Sequence, residues 1–296
     1  MSDVLGAILK LIDEEDLFRQ TVERTAHDYG FPGDLIEKDV FCSLTLAALA
    51  PHLPERVVFK GGTCLSKVFS NFYRLSEDLD FAISIPADAS RADRRRLMEP
   101  VKKLCGEISS RCPCLMIVEP LRGANQSMQY VQTLGYISGI TGKTAQIKVE
   151  FGVREPLLMP SSMGSARTLL VSPLTGKPLL SRVPIRTMAL NEMWSEKVRA
   201  ALCRRESAIR DFFDLDFAMQ SGQIEMDKPD FVAIVRQKLA VSGNGPIQLH
   251  HERLAELERT KETDLKPVLR ARDFEEFNLD RIWTALLALT GRLKDA

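Results

Sequence analysis

The sequence predicts an α+β protein in three parts: an N-terminal helical segment over residues 1–54, a mixed sheet with helices over 55–186, and a C-terminal helical bundle over 187–296. The rhythm of apolar residues points to it, helical at both ends and of period two in places between, with runs of Pro and Gly where one rhythm gives way to the other. With 45% hydrophobic and 27% charged residues in 296, the chain has the balance of a globular protein, long enough for one large domain or two modest ones.

Between Val4 and Tyr29, Leu5, Ile8, Leu9, Ile12 and Leu17 recur at helical spacing, and Pro32-Gly33 breaks the pattern. Asp34 suits the N-cap of a second helix through Leu49, with Pro51 and Pro54 closing it. Val57-Val58-Phe59 is a short β-type run ended by Gly61-Gly62, after which Cys64, Leu65, Val68, Phe69 and Phe72 fall on one face of a helix. Leu79, Phe81, Ile83 and Ile85 then alternate with Asp78, Asp80, Ala82 and Ser84, as in a strand with two unlike faces. Residues 88–111 read as a helix with a very basic start (Arg91, Arg94, Arg95, Arg96), and 115–118, 128–137 and 144–153 as strands. The Pro-, Gly- and Ser-rich stretch 156–187 suits loops and a short strand, and almost everything after it is helical.

Several classes drop out. No apolar run approaches the roughly 20 residues of a membrane-spanning helix, and the N-terminus turns acidic where a signal peptide would show a cleavage site, so a cytoplasmic protein is expected. Cys105, Cys112 and Cys114 form the only cysteine cluster and lack the spacing and second ligand pair of a zinc site; His250-His251 has no HExxH context. The cysteines are expected to be reduced. Net charge is zero, yet residues 1–55 carry 4 Lys/Arg against 11 Asp/Glu, residues 56–186 carry 19 against 10, and residues 187–296 carry 17 against 19. A basic centre in a neutral chain suggests a local polyanion site, or a basic domain packed on an acidic one.

The chemistry concentrates in residues 57–85. A strand runs into Gly61-Gly62-Thr63, where bare backbone and unpaired N–H groups make a candidate phosphate seat, though not a Walker loop. Asp78 and Asp80 lie two apart on a strand, so both carboxylates leave the same face about 7 Å apart. Like charges so placed need compensation, which divalent cations provide; a solvated edge strand is the plainer alternative. Glu150, on the polar face of its strand with Lys148, is the best third carboxylate, and Asp88 and Glu119 are rivals. In the helical bundle, Lys197 lies beside the apolar stripe of Leu190, Trp194, Val198 and Ala201, so it needs an anion unless its head reaches water. Asp211 sits where nearly every side of its helix is apolar; it could orient Lys197, meet a base or ribose, or belong to a structural ion pair, with Arg210 and Asp214 bonding across one turn.

The glycine turn followed by the Asp-x-Asp strand resembles the polymerase β-like nucleotidyltransferase superfamily. Lys60-Gly61-Gly62-Thr63, Arg74 and Ser76-Glu77-Asp78-Leu79-Asp80-Phe81 are similar to one branch in particular, the AbiEii/AbiGii family of nucleotidyltransferase toxins from bacterial toxin–antitoxin systems. Glu37-Lys38-Asp39, Glu196-Lys197 and Arg210-Asp211-Phe212-Phe213-Asp214-Leu215 extend the likeness over most of the chain. The resemblance implies a polymerase β-like nucleotidyltransferase core and attack of a substrate hydroxyl on the α-phosphate of a nucleoside triphosphate, releasing pyrophosphate. The catalytic residues would be Asp78, Asp80, Lys197 and Asp211. Asp78, Asp80 and Glu150 would hold two Mg²⁺ ions, with Mn²⁺ as a substitute, and Gly61, Gly62, Thr63, Lys67 and Lys197 would meet the nucleotide. Lys67 is expected on a polar helix face with Ser66 and Ser70.

Relatives with these motifs imply an RNA acceptor, a tRNA 3′ end above all, with translation blocked as the outcome and a cognate antitoxin as a further partner. From Arg167 to Arg205 there are 8 Lys/Arg and only Glu192 and Glu196, a stretch suited to RNA phosphates or simply to a solvated loop. A small hydroxylated molecule or a protein hydroxyl is the competing acceptor, and a non-catalytic nucleotide- or antitoxin-binding module the competing function. A phosphate on Ser76 would place about −2 charge beside the carboxylates and inactivate the site.

Overall fold

A computed structural model describes residues 3–86, 88–241 and 243–294. The chain forms two units, Met1–Met188 and Ala189–Ala296, so the helices expected as a separate N-terminal segment share a unit with the sheet.

In the first unit the N-terminal periodic stretch is two helices, α1 (Asp3–Asp13) and α2 (Glu15–Tyr29). Glu14 leaves the helical region at ψ 71°. It lies within Asp13-Glu14-Glu15-Asp16, where like charges on adjacent turns oppose a continuous helix. Gly30, in the left-handed conformation, ends α2. Helix α3 (Gly33–Leu49) begins after Pro32, two residues earlier than expected, so Asp34 occupies its first turn instead of its N-cap. Nearly every residue of α3 from Ile36 to Leu49 is buried, and Phe41 stacks on Tyr136 with ring centroids 3.8 Å apart. Glu37, also buried, accepts the Ser138 hydroxyl and the Gly139 N–H, fastening the loop after Ile137 to α3. Burial pushes the Glu37 carboxyl above the usual glutamate range, against those hydrogen bonds.

The strands of this unit are β1 (Val57–Lys60), β2 (Asp78–Ile83), β3 (Met116–Ala124), β4 (Gln129–Ile137), β5 (Thr144–Gly152), β6 (Ser162–Ala166) and β7 (Val183–Thr187). They form a mixed sheet of order β3-β4-β5-β2-β1-β7-β6, in which β2 runs antiparallel to β1 and parallel to β5. The α+β class holds. Stretch 156–187 supplies two strands where one was expected; β6, Ser-Met-Gly-Ser-Ala, has too little apolar content to announce itself. Alternation gives the sheet two faces. Leu79, Phe81, Ile83, Ile147, Val149, Phe151, Tyr130 and Leu134 are buried, and the Phe59, Phe81 and Phe151 rings pack with centroids 5.4 and 4.8 Å apart. Each such ring contributes about 1.5–3 kcal/mol by leaving water. The opposite face of the central strands presents Asp78, Asp80, Lys148 and Glu150.

Short helix α4 (Gly61–Cys64) follows β1, and α5 (Arg91–Gly106) follows β2. The Ser90 hydroxyl accepts the Asp93 N–H while the Asp93 carboxylate accepts the Ser90 N–H. This reciprocal cap starts α5 at Arg91, three residues later than the expected start at 88. A further turn, α6 (Ile108–Arg111), leads to β3.

The second unit is helical, as expected: α7 (Leu190–Cys203), α8 (Ile209–Gln220), α9 (Pro229–Ala240), α10 (His251–Thr260), α11 (Ala271–Glu276) and α12 (Leu279–Lys294). Trp194, Val198, Phe212, Ile282 and Leu286 are in its core, with Phe212 stacked on Trp283 at 6.0 Å. Lys238 is fully buried and held by Glu192 at 2.7 Å and Glu196 at 3.3 Å. Among the described residues no helix is long and apolar enough to cross a membrane. All six cysteines are free thiols, and burial pushes the Cys42, Cys105 and Cys112 thiols up to about 12.

Candidate active site

The turn after β1 is shaped by its glycines. Gly61 has φ 77°, a region that L side chains avoid, and a Cβ there would collide with the Asp80 carboxylate. A Cβ on Gly62 would come within 2.6 Å of Arg74 Nη2 and 3.0 Å of Ser76 Oγ. Bare backbone is therefore needed at both positions, between a carboxylate and a guanidinium. The helix expected beyond the turn is short and irregular: after α4 the Ser70 N–H bonds the Leu65 carbonyl at 2.8 Å, one residue wider than an α-turn. Asn71 and Phe72 then take positive φ, and the chain reverses toward β2. Ser66 Oγ donates to the Arg74 carbonyl at 2.6 Å, and Thr63 Oγ1 donates to the Asp78 carbonyl, tying the turn to the start of β2.

Strand register completes the group. Asp80 is paired with Lys60 across the antiparallel ladder and with Glu150 across the parallel one, and Asp78 is paired with Lys148. The three carboxylates named from sequence thus share one face of two neighbouring strands. Lys148 Nζ lies 3.0 Å from Glu150 Oε2. Burial opposes the charge on Lys148, yet its hydrogen bond to Glu150 and the charges of Glu150, Asp78 and Asp80 outweigh this and raise its pKa. Among the described residues no three His, Cys, Asp or Glu side chains converge at metal-binding spacing. Of the rival carboxylates, Glu119 accepts the Thr133 hydroxyl at 3.0 Å on β3 and β4, away from β2, and Asp88 lies in the turn before α5.

Lys67 departs from expectation. It is not on a solvated face: it is 1% exposed, with Nζ 2.6 Å from Asp39 Oδ1, 2.8 Å from Ser43 Oγ and 3.3 Å from the Arg167 carbonyl. The irregular turn rotates it inward onto α3, where Asp39 answers its charge. In the second unit Lys197 and Asp211 do meet. Lys197 Nζ lies 2.7 Å from Asp211 Oδ1 and 2.9 Å from Asp214 Oδ2, and Arg204 reaches the other Asp211 oxygen at 3.1 Å. The anion that Lys197 required is thus supplied from α8, and Asp214 is held by Lys197, while Arg210 Nε donates to the Asp264 carbonyl. Sequence reasoning gave no role to Lys60, Asp39, Ser43 or Arg204. For Lys60 and Asp39 the available signal was their place in the Lys-Gly-Gly-Thr and Glu-Lys-Asp motifs.

A strand, glycine turn and short helix, followed by an antiparallel strand whose Asp80 carboxylate faces the turn and whose Asp78 carbonyl is tied to it, form a core of the nucleotidyltransferase class. The sequence matches the profile of the nucleotidyl transferase AbiEii toxins of type IV toxin–antitoxin systems over residues 44–288; the chain belongs to that family and is a nucleotidyltransferase. Among solved structures it is similar to JHP933 from Helicobacter pylori, at 15% identity over 89% of this chain and 93% of that one, with a TM-score of 0.48. It is also similar to a presumptive nucleotidyltransferase from H. pylori, at 16% identity over 87% and 92% and a TM-score of 0.45. No curated protein matches.

Gly61→Ala is expected to lower nucleotidyl transfer by about 10²-fold, because the new methyl group drives the Asp80 carboxylate out of place. The measurement is initial rate beside a thermal melt of the same sample. A rate within threefold of the parent would mean that the close approach of Gly61 and Asp80 has no part in the reaction.

Proposed function

We propose that the chain transfers a nucleoside monophosphate from a nucleoside triphosphate to an RNA hydroxyl, at a tRNA 3′ end, and as a cytoplasmic toxin thereby stops translation. The observation that carries this reading is the seating of Asp80 directly against the bare Gly61 backbone, with Asp78 tied to the same turn through Thr63. The donor chemistry fits Mg²⁺, which takes carboxylate oxygens and is commonly bound by one or two carboxylates together with substrate phosphates. Asp78 and Asp80 would hold it, and Mn²⁺ in its place. When bound, the ion supplies Lewis-acid stabilisation of the charge that builds on the phosphates.

The chain's own groups do the rest. Gly61, Gly62 and Thr63 let phosphate oxygens approach the backbone, and Arg74 lies against Gly62 to offset their charge. The acceptor oxygen bonds to the α-phosphorus, the α–β bridging bond breaks, pyrophosphate leaves and the hydroxyl proton passes to water. Lys197 and Asp211 are proposed as catalytic through the E-K and R-D-x-x-D-L motifs; Asp211 and Asp214 fix the direction of the lysine side chain. The basic excess of residues 56–186 favours a polyanionic acceptor over a cationic small molecule. A cognate antitoxin is the further partner that a toxin of this family calls for.

The test is incubation with Mg²⁺, each labelled nucleoside triphosphate in turn, and total RNA. Label on RNA, concentrated on tRNA, is the expected result. Label on protein alone would move the acceptor to a protein hydroxyl. Nucleotide binding without any transfer would make the chain a binding module.

A further inference from the structure

We infer that the open edge of β6 is a docking site for an extended acidic segment of a partner protein, which adds to the sheet as a further strand. This goes beyond the transfer reaction and does not rest on it. The sheet ends on β6, whose 5 residues pair with β7 without a slip, from Ser162 opposite Thr187 to Ala166 opposite Val183. Pro184 stands opposite Ser165 and has no N–H, so these two residues cannot exchange hydrogen bonds. Bonded and non-bonded pairs alternate along an antiparallel ladder, which makes Met163 and Arg186 a non-bonded pair as well. The Met188 N–H, two residues beyond Arg186, agrees, since it turns away from β6 to the Phe59 carbonyl at 3.0 Å. Met163 and Ser165 therefore aim their N–H and C=O groups outward, and among the described residues none of these groups has a hydrogen-bond partner.

Sheet edges are commonly blunted by proline or charge, and β6 carries neither. Met163 is 61% exposed, and with Ser165, Pro184 and Arg186 it shares the outer face of β6 and β7, while Ala166, Val183 and Ile185 are buried on the inner one. Charge names the occupant. Residues 156–188 contain Arg167, Lys177, Arg182 and Arg186 and no Asp or Glu. A second copy of the chain would set the same cations against these, whereas carboxylates on an incoming strand are attracted to Arg186 and to the exposed Arg182. RNA offers the charge but not the alternating backbone N–H and C=O groups that continue a sheet. The edge is also near the glycine turn. Arg167, the residue after β6, donates its N–H to the Lys67 carbonyl at 3.1 Å and its Nη1 to Asn71 Oδ1 at 2.8 Å. A seated segment thus lies one residue from a group that braces the chain between Gly61–Thr63 and β2.

Amide hydrogen exchange, read by nuclear magnetic resonance on the full chain, tests this. The probe is a short synthetic peptide of alternating valine and glutamate; its valine–lysine counterpart and an oligouridylate are the controls. In the free chain the Met163 and Ser165 amides are expected to exchange freely and that of Gly164 slowly. The acidic peptide should slow Met163 and Ser165 by about tenfold or more, and neither control should. Ser165→Pro removes an outward N–H and leaves the ladder with β7 whole, so it should abolish peptide binding. Met163→Glu keeps the backbone and sets a like charge on the edge, and it serves should the proline variant not fold. Slow exchange of Met163 and Ser165 in the free monomer, no slowing by the acidic peptide, or equal slowing by either control would each overturn the inference. So would unchanged peptide binding in the variants, or a dimer in sedimentation that Met163→Glu dissolves, which would make a second copy the occupant.

Discussion

Asp80→Asn lowers nucleotidyl transfer by at least about 10³-fold and leaves the fold intact: this is the largest functional effect expected of a single substitution here. Asn keeps the shape of the side chain, so the packing against Gly61 survives, while the charge that would grip a cation is gone. The lost charge faces Glu150 and Asp78 as well as Lys60, so its removal relieves repulsion while giving up one attraction, and the fold is expected to hold. Rate of label transfer and melting temperature, measured on one preparation, separate the two effects. A folded Asp80→Asn protein within tenfold of parental turnover would remove Asp80 from the chemistry, and with it the core of the proposed function.

The largest expected effect on stability comes from Asp39→Ala. It strips the carboxylate from Lys67, whose ammonium stays at 1% exposure with Ser43, backbone carbonyls and the face of Phe72, and no countercharge, to receive it. Breaking one partner of a buried pair costs about 3–5 kcal/mol, or roughly 10 °C in the melting of a unit of this size. Asp39→Leu combined with Lys67→Met should recover most of the loss, because no buried charge is then left unanswered. Calorimetry on the three proteins checks both statements; a double variant no more stable than Asp39→Ala would show that the pair is not the source. The effect would also be felt in function, since Lys67 lies in the turn that joins Gly61–Thr63 to β2 and braces it against α3.

What could be read from the sequence followed from short-range periodicity. The alternation from Asp78 to Ile83 assigned both faces of β2 correctly, because a half-buried strand has no other way to place Leu79 and Phe81 inside. The glycine pair was legible as a close approach, though not which groups approach. Long-range pairing was not legible at all. Nothing local says that Lys148 would stand beside Asp78 or that Asp39 would answer Lys67, since each depends on register or on the contact of distant elements. The irregular turn after Gly61 was hidden for the opposite reason: Cys64, Leu65, Val68 and Phe69 fit helical spacing, and tertiary packing overrode it through one wide hydrogen bond. Within the helical bundle, the need of Lys197 for an anion was plain from its apolar neighbours, and Asp211 and Asp214 supply that anion.

Strand β3 closes one margin of the sheet with Pro120 in its middle and two slips of register against β4, at Ile117/Glu119 and at Glu119/Arg122. A proline offers no N–H to an incoming strand, and slipped pairing twists the margin away from the straight ladder that docking requires. A second copy of the chain therefore finds no even template there on which to continue the sheet. For a polypeptide with Met116 and Val118 exposed along that same border, this irregularity guards against edge-to-edge self-association.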